Sequence, residues 1–185
     1  MIYEPREASS IIKNGGILLY PADNFWVVGC DARNEEAVQR LIQIMGASKE
    51  ERVVLLESDR LLNACLEEVP ELAWDIIDQS EEAISIVYPK GKNLASSVLM
   101  DAGSVAIRYV KSTHCAKLIQ YANTAIISSP ALSEGEGSPI TFAAISKKLI
   151  EEVDDVYRPE HFELSGKNTA MIQLGYHGEI KIIRG

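Results

Sequence analysis

Long apolar runs are missing from this 185-residue chain, and none approaches the ~20 residues of a membrane span. The opening MIYEPREASS lacks a basic region followed by an apolar stretch, so it does not read as a secretion signal, and a cytoplasmic location is expected. Cysteine is scarce. Cys30, Cys65 and Cys115 are odd in number, widely spaced and outside any paired motif, which argues against a disulfide framework and against a metal centre. His114 and Cys115 are sequence neighbours and point to different faces of a helix, so they make no ligand pair. No Gly-Lys-Ser/Thr follows a glycine-rich stretch, which excludes a phosphate-binding P-loop. Basic residues are outnumbered, 18 Lys and Arg against 27 Asp and Glu, giving a formal charge of -9 that repels nucleic acid. Lys147-Lys148 is followed closely by Glu151, Glu152, Asp154 and Asp155, an interleaving that reads as solvated surface. Repeats and low-complexity segments are absent, and a hydrophobic content of 46% suffices for one sizeable core. A single domain over residues 1–185 is expected.

What is present concentrates in GGILLYPADNFWVVGCDA, Gly15 to Ala32. Gly15 and Gly16 supply the backbone freedom of a helix-to-strand turn, residues 17–19 form a buried run, and Pro21 cannot continue a central strand. A loop carrying Asp23 and Asn24 is therefore expected after Pro21. Two readings stand for it: an ordinary turn, for which Asp and Asn are well suited, or a ligand loop at a strand end.

Along the rest of the chain, helices are expected over residues 6–14, 61–69, 71–79, 113–121 and 141–151, with Asn34 capping a further helix that Gly46 stops. Strands are expected over residues 17–20, 52–57, 83–88, 97–100, 104–110 and 125–128, and residues 169–174 and 179–183 form a closing hairpin. This alternation predicts an α/β protein, a sheet with helices on its faces. Asp23-Asn24, Arg108 and Ser128-Ser129 all follow or end strands and are expected to converge. Arg108 within an apolar strand needs a partner, either a carboxylate or a substrate. The glycine-rich residues 133–139 read as a lid.

The Gly15-Gly16 to Ala32 segment resembles the G-G-x-x-x-x-P-T-D-T-x-Y-G-L-G-C-D-A hallmark of YrdC-like proteins. Their best-understood members are the threonylcarbamoyl-AMP synthases of tRNA modification. The resemblance continues in order. Residues 53–57 are similar to the family's L-I-L-L-V strand and Val105-Ala106-Ile107-Arg108 to its V-x-V-R. Ser128-Ser129-Pro130-Ala131-Leu132-Ser133 with Ser138-Pro139-Ile140-Thr141 resembles its P-S-A-N-L-S-G and S-P-T block. Asn168-Thr169-Ala170-Met171-Ile172 and residues 180–185 resemble its S-T-V-V-D and closing I-L-R-x-G.

The resemblance implies a YrdC-like fold, a twisted, mostly mixed sheet with helices on its faces and a concave ligand cleft, and a reaction in which threonine and bicarbonate form a carbamate that attacks the α-phosphate of ATP, releasing pyrophosphate. Magnesium would accompany the ATP, and no tightly bound cofactor is implied. Substrate or nucleotide contacts are expected from Asp23, Asn24, Trp26, Arg108, Ser129, Ser133, Asn168 and Thr169. The family's phosphate-holding K-x-R and S-x-N read here Met45-Gly46-Ala47 and Ser129-Pro130-Ala131, so only the serine survives. Lys49, Arg52, Lys90, Lys92 and Lys111 are the cations available to replace the lost pair. Met45 also completes an apolar stripe with Ala37, Val38, Leu41 and Ile42 at helical spacing. A synthase of weakened or altered activity is expected. The alternatives are a re-purposed paralogue binding a nucleotide or other small anion, and a non-catalytic RNA or protein module, the RNA form of which the charge disfavours.

Overall fold

The computed structural model describes residues 1–46, 51–133, 135 and 137–185. Pro5 opens helix α1 (Pro5–Lys13), where its missing N–H costs nothing, and Gly15 at φ +78° turns the chain into strand β1 (Leu18–Pro21). A tight turn, with Ala22 N–H donating to Phe25 O at 3.0 Å, leads into β2 (Trp26–Asp31). The Asn34 side chain accepts from Ala37 N and so caps α2 (Glu35–Met45), which Gly46 ends in the left-handed conformation. Next come β3 (Val53–Leu56), α3 (Asp59–Cys65), α4 (Glu71–Gln79), β4 (Ser85–Tyr88), β5 (Val105–Tyr109) and α5 (Thr113–Ala122). The chain closes with β6 (Ile126–Pro130), α6 (Lys147–Glu152), the two-residue β7 (Asp155–Val156), β8 (Met171–Leu174) and β9 (Ile180–Arg184).

Four expectations need correction. The loop after Pro21 is only the turn 22–25, because Trp26, Val27 and Val28 favour an extended chain and pair antiparallel with β1. Residues 97–100 are not a strand. Ser96–Val98 form a 3-10 turn held by Glu35, whose carboxylate accepts from Ser96 Oγ at 3.0 Å, from Ser97 N at 3.2 Å and from Ser97 Oγ. The helix expected over 141–151 is a 3-10 turn at Phe142–Ala144 and the shorter α6, and that expected over 61–69 ends at Cys65. β7 went unanticipated, since two residues are too few to show a period.

The strands form one mixed sheet in the order β7-β1-β2-β6-β3-β5-β4-β8-β9. β3 with β5, β4 with β8 and β1 with β7 are parallel pairs, and the remaining neighbours are antiparallel. Directly opposed residues share a face, so the register carries one side of the sheet across in a row. Gly29 lies opposite Ser128, Ser128 opposite Val53, Leu55 opposite Arg108, Arg108 opposite Ser85, Ser85 opposite Met171 and Met171 opposite Arg184. A Cβ at Gly29 would lie 2.8 Å from Ile127 O, so the close approach of β2 and β6 requires glycine there.

Side chains of β1, β2, β3 and β6 fill the core with Ile12, Val38, Leu41, Leu118 and Ile119 from the helices. Cys30, Cys65 and Cys115 are buried free thiols. Burial pushes Cys30 up to about 12 and Cys65 up to about 11, so both stay protonated near neutrality. Among the described residues no helix is long and apolar enough to cross a membrane.

The turn between β1 and β2 reaches the segment leading into β8, although those strands stand second and eighth in the sheet. Asn24 Nδ2 donates to Lys167 O at 2.6 Å and to Thr169 Oγ1 at 2.8 Å, while Gly166 N donates to Asn24 O at 3.0 Å and Ser165 N to Asp23 O at 3.3 Å. The sheet is thereby curled at one rim, and its inner face becomes a cleft.

Candidate active site

Val27, Val53, Leu55, Arg108, Ser128 and Pro130 present their side chains to this inner face, and with Phe25, Glu51, Ser138, Asn168, Thr169 and Arg184 they line a cavity of about 240 Å³. Typical sites for drug-sized ligands run to about 300–1,000 Å³, so this cavity suits a smaller polar molecule. Two guanidinium groups define its chemistry. Arg108 Nε donates to Ser85 Oγ at 3.1 Å, and Arg184 Nε donates to the Thr169 carbonyl at 3.0 Å. Among the described residues no carboxylate lies within ion-pair distance of either arginine. Burial lowers the pKa of Arg108, the Asp23 charge opposes that shift, and the nearby Arg184 adds to it. Two mutually repelling cations with no ion-pair partner among the described residues, in a cavity that the Glu51 carboxylate also lines, make a site that a bound anion stabilises.

A second cavity, of about 380 Å³, shares Glu51, Ser129, Pro130 and Ser138 with the first and so adjoins it. Met45, Ala131, Leu132 and Ser133 complete its wall, with Gly135 and Gly137. No lysine or arginine among the described residues lines it. Ser133 Oγ lies 2.6 Å from Gly135 O and 2.8 Å from Gly137 O, two carbonyls that share its one proton.

The residues singled out in the sequence divide into three groups. Arg108, Ser129, Asn168 and Thr169 meet in the first cavity, and Ser129 and Ser133 in the second. Asp23, Asn24, Trp26 and Arg52 line neither. Asp23 Oδ1 accepts from Ser112 N at 2.6 Å and from Lys111 N at 3.0 Å, holding the chain just ahead of α5. Asn24 makes the rim bonds described above. Trp26 alternates with Val27 and so leaves the cavity. It is fully buried, with ring centroids 5.3 Å from Phe142 and 5.6 Å from Phe162. Arg52 alternates with Val53 and likewise points away, donating from Nη1 to Ser97 O at 3.3 Å. Lys49, with Ala47, Glu134 and Glu136, lies outside the described residues. Lys90, Lys92 and Lys111 line neither cavity, and Lys111 Nζ donates to Ile77 O at 3.2 Å. Phe25, Ser138 and above all Arg184 were missed. The signal for Arg184 is an arginine ending the strand 180–183, in the segment that resembles the family's closing I-L-R-x-G.

Among the described residues no group of three His, Cys, Asp or Glu side chains is placed to hold a metal ion. His114 is half-buried, its Nε2–H donating to Pro21 O at 3.0 Å, and burial lowers its pKa, so it stands neutral against the ring of Phe162.

Solved structures share this architecture. Sua5 of P. abyssi complexed with L-threonine superposes with a TM-score of 0.82 at 21% identity, over 94% of this chain and 53% of that one. YciO of E. coli does so with a TM-score of 0.81 at 18% identity, over 97% of this chain and 87% of that one. At such identities the likeness shows the fold alone, and this chain spans about half the length of the Sua5 structures it matches. The threonylcarbamoyl-AMP synthase of Hydrogenovibrio crunogenus is 26% identical over 150 residues, covering 77% of this chain and 79% of the relative. That of Pseudoalteromonas translucida is 24% identical, covering 79% and 80%. The Sua5/YciO/YrdC family model, described as telomere recombination, matches residues 10–185, and the chain belongs to that family.

Proposed function

We propose that the first cavity binds a small carboxylate-bearing substrate, threonine by analogy with the relatives, and that the chain is a threonylcarbamoyl-AMP synthase-type protein whose ATP-dependent step is weakened. The observation that carries this reading is the Arg108–Arg184 pair, which shares one small cavity without a carboxylate partner among the described residues. A substrate carboxylate there would accept from both guanidinium groups, and Asn168 and the Thr169 backbone supply further polar contacts of the right size for an amino acid. In the implied reaction a carbamate oxygen of the substrate attacks the α-phosphorus of ATP as pyrophosphate leaves. The described residues contribute positioning and positive charge to it, with no side-chain nucleophile. Magnesium would enter with ATP as part of that substrate.

The weakening follows from the second cavity. Met45 and Ala131 stand in its wall at the positions where the resemblance implies a lysine and an asparagine. This same observation favours a second reading, a re-purposed paralogue that keeps the carboxylate pocket and adenylates nothing. An acidic chain of net charge -9 is a poor RNA binder on either reading.

Titration calorimetry with L-threonine and with ATP tests the reading. Threonine is expected to bind and ATP to bind weakly. ATP binding at least as tight as threonine would overturn the weakened step, and no threonine binding would overturn the substrate assignment.

A further inference from the structure

Asn24 lines no part of the cavity, yet it is tied to one of the cavity's two cations through a single intermediate residue. Its Nδ2 donates to Thr169 Oγ1 at 2.8 Å and to Lys167 O at 2.6 Å, and the carbonyl of that same Thr169 accepts from Arg184 Nε at 3.0 Å. Asn24 is 8% exposed and Thr169 5%, so the bond between their side chains is shielded from competing water, while the bond to the Lys167 carbonyl lies nearer the surface. Arg184, by contrast, is exposed on β9, the last strand of the sheet, with a neighbour on one side only. Nothing else among the described residues holds its guanidinium: the Thr169 carbonyl is its one hydrogen-bond partner. A long, flexible side chain on an edge strand is oriented only as well as that carbonyl is. The carbonyl in turn is fixed by the amide clamp on residues 167 and 169.

We propose that Asn24 is a positioning residue that sets the Arg184 guanidinium in the cavity through Thr169. The donor set explains why an amide serves. One Nδ2 reaches two acceptors on opposite sides of residue 168, a carbonyl and a hydroxyl, which a hydroxyl donor with one proton cannot do at once. Asn168 lies between the two clamped residues and itself lines the cavity, so the clamp orients a second contact group as well. The proposal builds on the carboxylate-site reading but does not depend on which anion is bound.

The test reads Arg184 directly. In proton–nitrogen spectra of the full chain, the Arg184 Nε–H is expected to be protected from solvent exchange in the parent. It is expected to exchange roughly tenfold faster in Asn24→Ala and in Thr169→Val, the latter keeping the carbonyl while removing Oγ1. The Arg108 Nε–H, bonded to Ser85 across the sheet, is the internal reference and should hold its rate in both variants. Equal acceleration at both arginines would mean general loosening, and an unchanged Arg184 rate would mean no coupling; either overturns the proposal. If Asn24→Ala does not fold, Thr169→Val alone decides. A double-mutant cycle on L-threonine affinity adds the functional reading: Asn24→Ala should weaken binding by about tenfold in the parent and by nothing further in an Arg184→Ala background. Additive losses would overturn the coupling. Absence of threonine binding throughout, with Arg184 exchange still controlled by Asn24, would overturn the substrate assignment and leave the positioning role standing.

Discussion

Arg108 donates from Nε to the hydroxyl of Ser85 at 3.1 Å, a bond between adjacent strands that fixes the plane of the guanidinium while leaving its terminal nitrogens to the cavity. Ser85 is fully buried, so the acceptor is fixed and the arginine is held before any ligand arrives. A preset cation of this kind loses little side-chain entropy on binding an anion.

Arg108→Ala is therefore expected to weaken L-threonine binding by roughly tenfold to a hundredfold, the range for hydrogen bonds to charged groups. Arg108→Lys should recover only part of the loss, because a lysine cannot bond Ser85 and grip a carboxylate with two further donors in one plane. Calorimetry on both variants, with melting curves to confirm folding, checks this; an unchanged affinity in Arg108→Ala would remove Arg108 from the site.

The second cavity offers a gain of function. Met45 is 6% exposed and lines the wall with Ala131. If only charged and polar contacts have been lost, Met45→Lys with Ala131→Asn should raise ATP affinity at least tenfold, most of it from the ammonium. A lysine at the end of a buried helical stripe must carry its head to solvent or to the cavity, so circular dichroism accompanies the titration. A folded variant with no gain would mean that the cleft has been reshaped.

Glu35 gives a pH test of the scaffold. Bonds from the Ser97 and Ser96 hydroxyls and the Ser97 N–H hold its carboxylate down to about 2, from an ordinary 4.5. A depressed carboxylate contributes stability that is present above its unfolded pKa and lost as pH falls through the window from 4.5 to about 2. Glu35→Gln should lower the melting temperature at neutral pH and flatten the acid limb in that window. Parallel acid limbs in parent and variant would show that the clamp carries no linkage.

RNA binding is expected to be weak. With a charge of -9, any complex with tRNA at physiological salt should dissolve steeply as salt rises, measured by fluorescence anisotropy. Tight binding that persists at high salt would contradict the electrostatic argument.

Much of the scaffold was legible in the chain. Asn34 and Gly46 mark both ends of α2 because a side-chain cap and a left-handed stop are local matters. The closing hairpin shows in its alternation around Gly178, at φ +86°. Strand β2 was not legible, since a Pro-Ala-Asp-Asn turn reads the same whether a loop or a strand follows. In the candidate site, Arg108, Ser129, Asn168 and Thr169 came from the sequence, while Arg184 did not. Its place follows from sheet order and register, which bring the last strand beside the rim of the first turn. Asn24, Trp26 and Arg52 show the converse. They sit within or beside site motifs, but the twofold alternation of a strand and the geometry of a tight turn send their side chains into the scaffold.

The most direct test of the account is pyrophosphate release from ATP, threonine and bicarbonate, measured beside the synthase of Hydrogenovibrio crunogenus under the same conditions. The account predicts turnover far below that relative's, restored in part by Met45→Lys with Ala131→Asn. A rate equal to the relative's would contradict it, and would mean that the phosphate-holding charge is supplied by cations other than those the family motif provides.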